Sequence, residues 1–308
     1  MDLTRFSGLG VALATPFTKG NGQFGAESVD LPAFRALVRT VVKGGTDFLV
    51  VLGSTGEAAT VSESERDQLI TAALEEAGDA AVVVGTGHNS TAAAVALASR
   101  AAALGAHALL VVTPYYNKPQ AAGVEAHFRA IAEAVPGTPI IAYNVPGRTG
   151  LNMVPAVLAR LWDIPQVVAV KESSGNLAQI GEIARNLPPG KLLLAGDDSF
   201  ALPAIALGAS GLVSVIGNIL PKETKALVQA ALAGDILRAR TIHASLLPVM
   251  DALFLESNPV PLKAALELDG QCQGTVRLPL VPACEATRTT LAKLLEPFGI
   301  PATTGDKP

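Results

Sequence analysis

Eight short runs of Val, Ile, Leu and Ala alternate with stretches of helical period, and this alternation constrains the fold more than any other feature of the chain. Strands are predicted over Val11–Pro16, Phe48–Gly53, Ala81–Gly85, Ala108–Thr113, Pro139–Tyr143, Val167–Lys171, Lys191–Ala195 and Gly211–Val215. Helices are predicted near Asp30–Val42, Glu63–Ala77, Thr91–Leu104, Gly123–Ala134, Val154–Leu161, Leu177–Asn186, Ser199–Leu207 and Pro221–Ala231. Ser62 with Glu65 three residues on is a capping pattern at one of these starts. Strands buried on both faces read as continuous apolar runs, as most of these do. Eight strand–helix units therefore predict an α/β fold of the closed (β/α)8 (TIM) barrel type rather than an open doubly wound sheet. No G-x-G-x-x-G follows the first strand, which argues against a dinucleotide site. After about Gly234 the alternation stops, and the rest reads as helical with breaks near Asn258–Pro261 and Gln271–Pro282. The expected division is a barrel over residues 1–234 and a small C-terminal helical domain over residues 235–308. No low-complexity linker separates them, so the two are expected to pack together.

Composition excludes several classes of function. A formal net charge of −4 and a pI near 5.6, with no basic run, argue against a nucleic-acid surface. Cys272 and Cys284 fit no metal or redox spacing, and thiols this sparse suit a reducing compartment. The four histidines (His88, His107, His127 and His243) are scattered, with none at helical metal-ligand spacing. The N-terminus lacks the regions of a signal peptide, and no apolar run reaches about 18 residues. The expectation is a soluble cytoplasmic protein with no membrane contact.

In a barrel of this type chemistry sits at the carboxyl ends of the strands, and the opposite ends serve stability. Strand two ends in GSTGE (Gly53–Glu57), strand four in TPYYN (Thr113–Asn117) and strand five in YNVPGRTG (Tyr143–Gly150). Strand six ends in KESSG (Lys171–Gly175) and strand seven in GDDS (Gly196–Ser199). Lys191 begins its strand and Lys118 lies beyond one. Lys19, Lys43, Lys222, Lys225, Lys263, Lys293 and Lys307 fall in loops, helices or the tail, so Lys171 alone closes a strand at the chemical face. Two readings stay open for it. A lysine held in an apolar pocket is a nucleophile, because desolvation disfavours the ammonium and a neutral amine attacks a ketone to form an imine. The other reading is an ion pair at the rim with Asp197 or Asp198.

Strand alternation sends Lys171 and Glu172 to opposite sides. Tyr143, ending the adjacent strand, is either the proton shuttle of an imine mechanism or a core aromatic. Arg148 is either a carboxylate anchor working through paired hydrogen bonds or an exposed loop charge. Ser54 and Thr55 donate to a substrate carboxylate, relay a proton, or cap a turn. Glu57 is expected to tie down its loop. Gly196 is among the glycines expected to allow tight turns or close backbone approach.

These motifs, together with NPVPLK (Asn258–Lys263), which on its own reads as a rigid connection, run from Phe6 to about Gly299. In order and spacing they resemble the pyruvate-dependent class I aldolase family headed by dihydrodipicolinate synthase and N-acetylneuraminate lyase. The resemblance implies Lys171 as the Schiff-base lysine, Tyr143 as the proton-handling tyrosine and Ser54 as a relay hydroxyl. It implies Tyr116 as a tyrosine inserted into the neighbouring subunit's site and Thr55 as a contact to the pyruvate carboxylate. Gly196 and Val213 would line the same pocket, and Arg148 would hold the carboxylate of L-aspartate 4-semialdehyde. The activity implied is condensation of pyruvate with that semialdehyde in diaminopimelate and lysine biosynthesis, by a homotetramer built as a dimer of dimers. No metal and no organic cofactor is implied, because the imine is itself the electron sink.

Other members of the family cleave N-acetylneuraminate or 2-keto-3-deoxy sugar acids. Ser54 stands where the synthases usually carry threonine and is more typical of those lyases, whereas Arg148 is typical of the synthases. A catalytically silent barrel that binds a small acid is a third reading, opposed by the presence of Lys171, Tyr143 and Arg148 together. Lysine-inhibited relatives use positions matching Ala58, Ala59, Glu63, Arg66, Asn89, Ala93 and Tyr115. With Ala93 in place of their glutamate and Arg66 adding positive charge, weak or absent inhibition by lysine is implied.

Overall fold

Each of the eight apolar runs forms a strand in the computed structural model, which describes residues 3–20 and 26–300. Lys307 and the ends of the expected division at residues 1 and 308 lie outside the described residues. The barrel strands are β1 (Gly8–Ala12), β2 (Phe48–Val51), β3 (Ala81–Gly85), β4 (Ala108–Val112), β5 (Ile140–Asn144), β6 (Val167–Glu172), β7 (Leu192–Ala195) and β8 (Gly211–Ser214). Each pairs in parallel with the next, and β8 pairs with β1 to close the barrel. A helix follows each strand, and the box at Ser62 forms, with the Ser62 N–H donating to Glu65.

The first strand starts three residues earlier than the sequence suggests, at Gly8 rather than Val11. Its two glycines carry little strand propensity of their own. Packing overrides that preference: a Cβ on Gly10 would sit 2.2 Å from the Phe48 ring, so only glycine lets the ring fill the barrel floor. Residues 14–16, expected to be strand, leave the barrel. Phe17–Lys19 then pairs antiparallel with Ala26–Val29 in a small hairpin that the apolar pattern does not mark.

Two apolar layers form, because successive residues of a strand point to opposite faces. Phe48, Val50, Val83, Leu110, Ile141 and Leu194 fill the interior. Leu49, Val51, Val82, Leu109, Val111 and Leu193 face outward against Phe34, Leu37, Leu69, Phe128 and Ile131 of the surrounding helices.

One irregularity decides which residues reach the mouth. Ile140 stands opposite Val167, but Ile141 stands opposite Ala169, so β6 carries one extra residue. Val168 and Ala169 both join the interior cluster, while Val167 and Val170 lie in the outer one. Such a bulge reverses the phase of the side chains beyond it. It turns Lys171 inward and Glu172 outward.

The C-terminal part is helical, with helices Ile236–Ala252, Val260–Leu268 and Glu285–Leu295. It returns across the carboxyl ends of the strands. Lys263 is fully buried and its Nζ donates to Glu57 at 2.5 Å, while the same ammonium lies 4.0 Å from the Phe17 ring centroid. The Arg277 N–H donates to the second oxygen of Glu57 at 3.0 Å, and its guanidinium bonds Thr60 and Glu65. Glu57 sits at φ +50, a left-handed conformation that a non-glycine residue keeps only when its surroundings hold it. The loop after β2 is thereby pinned to the helical part. Among the described residues no helix is long and apolar enough to cross a membrane.

Candidate active site

Lys171 is buried, on the inward face of β6 near its carboxyl end, opposite Tyr143 of β5 and Leu194 of β7. Its Nζ lies 4.1 Å from the centroid of the Tyr143 ring, and Tyr143 is buried too. No carboxylate among the described residues forms an ion pair with it. Asp198 is occupied elsewhere: it accepts from the Ser214 hydroxyl at 2.5 Å and from the N–H groups of Val215 and Ile216 at 2.9 and 3.0 Å. Asp197 is half-buried; burial raises its pKa, and the charges of Lys171 and Arg148 pull it back. Gly196 gives Lys171 its space, since a Cβ there would fall 1.9 Å from the Ser173 hydroxyl oxygen and 3.0 Å from Lys171 Cε.

A cavity of about 40 Å³ opens beside the amine, with Ser54, Thr55, Tyr143, Arg148, Gly196, Asp197, Val215 and Asn258 in its wall. That volume admits water-sized groups at the amine. It lies against a wider cleft of about 530 Å³ that shares Ser54, Tyr143, Arg148 and Asn258. Thr55 is buried, and its hydroxyl accepts from the Asn258 side-chain amide at 3.0 Å. Arg148 sits in a single helical turn, Pro146–Thr149, and donates to the Asn258 carbonyl at 3.2 Å. Asn258 Oδ1 is buried with no hydrogen-bond partner among the described residues, an acceptor available to a ligand.

Behind the site, outside the barrel wall, a polar network joins the two strands that carry Tyr143 and Lys171. Glu172 accepts from the Ser174 N–H at 2.7 Å and from the Asn144 amide at 2.9 Å. Asn144 also donates to Asn152 at 2.8 Å and accepts from the Met153 N–H at 2.8 Å, which fixes the chain on the far side of Arg148. Burial raises the pKa of Glu172, and these donors oppose the shift.

The structure therefore gathers Lys171, Tyr143, Ser54, Thr55, Arg148 and Gly196 at one mouth. Tyr116 and Val213 stand apart. Tyr116 is 88% exposed, at φ +74, and lines neither cavity. Val213 is packed within the barrel, and it is Val215 that reaches the cavity wall. Ala58, Ala59, Arg66 and Tyr115 line the wider cleft, while Glu63, Ala93 and Arg66 line a further cavity of about 590 Å³. Arg66 donates to the Ala58 carbonyl at 2.5 Å, and burial lowers its pKa.

Asn258 opens the NPVPLK stretch, which by itself reads only as a rigid connection, so its place in the site is missed by sequence reasoning. It lies in a proline-flanked stretch more than two hundred positions from Thr55, with no strand end to mark it. Among the described residues no group of three or more His, Cys, Asp or Glu is arranged to hold a metal ion.

The dihydrodipicolinate synthetase family profile matches residues 5–297. The chain is 42% identical over 296 residues to a 4-hydroxy-tetrahydrodipicolinate synthase of Syntrophus aciditrophicus, covering 96% of this chain and 99% of the relative. It is 46% identical over 286 residues to the enzyme of the same name from Thermomicrobium roseum, covering 92% of each. The crystal structure of the chloride-inhibited dihydrodipicolinate synthase from Acinetobacter baumannii complexed with pyruvate superposes with a TM-score of 0.90 at 39% identity, over 96% of this chain and 99% of that one. Likeness of sequence and of backbone, each spanning nearly the whole barrel and its helical extension, makes this chain a member of the dihydrodipicolinate synthetase family.

Proposed function

We propose that the protein is a lyase that condenses pyruvate with L-aspartate 4-semialdehyde, forming 4-hydroxy-tetrahydrodipicolinate through a Schiff base on Lys171. The observation that carries this reading is a buried lysine, free of any carboxylate ion pair among the described residues, beside a tyrosine and below an arginine at one mouth. Nζ of Lys171 attacks the ketone carbon of pyruvate, and loss of water leaves an imine. Removal of a methyl proton gives the enamine, whose carbon bonds to the aldehyde carbon of the semialdehyde. The semialdehyde's amine then attacks the imine carbon, closing the ring and releasing Lys171.

Tyr143, 4.1 Å from the amine, carries protons in this scheme with Ser54, and Thr55 holds the pyruvate carboxylate. Gly196 lets pyruvate lie against Lys171, and Val213 supports the pocket from below. Arg148 takes the carboxylate of the semialdehyde, being the guanidinium in the cavity wall. The exposure of Tyr116 supports its insertion into a neighbouring subunit's site as a further relay hydroxyl, within a homotetramer built as a dimer of dimers. The proposed setting is the cytoplasm, as a step of lysine biosynthesis. Cleavage of sugar acids, the reading Ser54 favours, is not supported by relatives that carry the synthase name.

A coupled assay tests the reading. Turnover is expected with pyruvate and the semialdehyde, and none above background with N-acetylneuraminate or 2-keto-3-deoxy sugar acids; the reverse preference overturns it. Tyr143→Phe is expected to lower kcat by about 10²–10⁴-fold, the usual contribution of a positioned proton-transfer group. A kcat within a factor of about three of the native value removes Tyr143 from that role.

A further inference from the structure

The scheme above leaves one carboxylate at the cavity without a task. Asp197 follows Gly196 at the end of β7 and lines the same cavity as Lys171, Arg148 and Ser54. Among the described residues it is the sole carboxylate in that wall. Asp198, next in the chain, turns to β8 and is saturated by Ser214, Val215 and Ile216. Among the described residues no lysine or arginine forms an ion pair with Asp197.

Charge complementarity gives it work. Pyruvate brings one carboxylate. The semialdehyde brings a carboxylate and an ammonium, and the ammonium entering a cavity that already holds Lys171 and Arg148 needs a negative neighbour. Asn258 offers it a neutral acceptor only, through its unpartnered Oδ1.

We propose that Asp197 receives the ammonium group of the amino-aldehyde and takes a proton from it before ring closure, so that this residue selects an amine-bearing aldehyde over an amine-free one. This deepens the function proposed above and rests on it. The ammonium proton passes to a carboxylate oxygen of Asp197. The freed lone pair bonds to the imine carbon as the π pair between that carbon and Lys171 Nζ moves onto Nζ. The ring nitrogen then gives up its two remaining protons, its lone pair becomes the second bond of a new C=N, and the carbon–Nζ σ bond breaks with its pair returning to Nζ. Nζ collects the two remaining N–H protons and the one held by Asp197, so the ammonium charge moves from substrate to lysine with nothing consumed. Burial makes Asp197 more basic than a carboxylate in water, in keeping with this transfer.

The test compares kcat/KM for aspartate 4-semialdehyde and for succinic semialdehyde, which keeps the carboxylate and lacks the amine, by following pyruvate consumption in native protein and Asp197→Asn. The ratio of the two is expected to fall about 10²-fold in Asp197→Asn, as when one partner of a desolvated charge pair is truncated. Both values come from one preparation, so any loss of folded protein cancels. Asp197→Glu keeps the charge and is expected to hold the ratio within about tenfold of native, which a purely packing role for Asp197 does not require. A ratio unchanged in Asp197→Asn overturns the assignment, whether the two values fall together or not at all. Should Asp197→Asn not fold, an Asp197→Glu ratio as low as about 10²-fold below native overturns it. Native protein that forms the pyruvate imine but consumes neither aldehyde overturns the proposed function instead, and the Asp197 assignment with it.

Discussion

Lys171→Ala is expected to lose condensation by about 10³-fold or more, as enzymes do when their nucleophile is removed. The same change should abolish the covalent adduct that borohydride traps from pyruvate, read as a mass increase on the peptide containing residue 171. Lys171→Arg is expected to fare no better, because a guanidinium stays protonated and offers no lone pair to a ketone. The size of the effect follows from position. The bulge at Val168 brings the amine inside the barrel, and Gly196 clears the space around it. Among the described residues no other lysine lines either cavity of the mouth to take its place. Activity of Lys171→Ala within tenfold of native, or a borohydride adduct on a different lysine, contradicts the mechanism.

The second large effect falls on stability. Lys263→Met is expected to cost about 3–5 kcal/mol, because it leaves the Glu57 carboxylate buried without its counter-charge. Both partners are almost wholly removed from water, and burial lowers the Lys263 pKa against the pull of Glu57. Adding Glu57→Gln to the same chain should recover part of the loss, since the uncompensated charge then disappears. Chemical denaturation of the two variants beside native protein checks both halves. A double variant less stable than Lys263→Met alone shows that hydrogen bonding to Arg277, and not charge burial, dominates the pair.

The barrel and the gathering of polar side chains at one mouth were legible in the sequence because both depend on local pattern. Apolar runs of four to six residues mark strands, and polar residues after them mark the mouth. Lys171, Tyr143, Arg148, Ser54 and Thr55 all stand at such strand ends. What stayed hidden depends on contacts distant in the chain. Counting sides from Val167 by strict alternation would send Lys171 outward; the bulge that reverses this appears only when β6 is paired with β5. Gly8 and Gly10 read as poor strand formers until the Asp47 carboxylate is seen to need the space at Gly8 and the Phe48 ring the space at Gly10. Asn258 approaches Thr55 from the far end of the chain, and nothing near it in sequence announces the contact. Asp197 and Asp198 read alike as acidic neighbours, and only the fold gives one to β8 and the other to the cavity.

The return of the helical part over the mouth bears on how such a protein can be dissected. An engineer who trimmed the chain at Gly234 to obtain a minimal barrel would remove more than packing. Glu57 would lose both the Lys263 ammonium and the Arg277 N–H that hold its carboxylate, Thr55 would lose the amide that orients its hydroxyl, and Arg148 would lose the carbonyl that steadies it. The eight-stranded shell is thus an unfinished vessel, and the helical stretch between residues 236 and 300 supplies part of the rim.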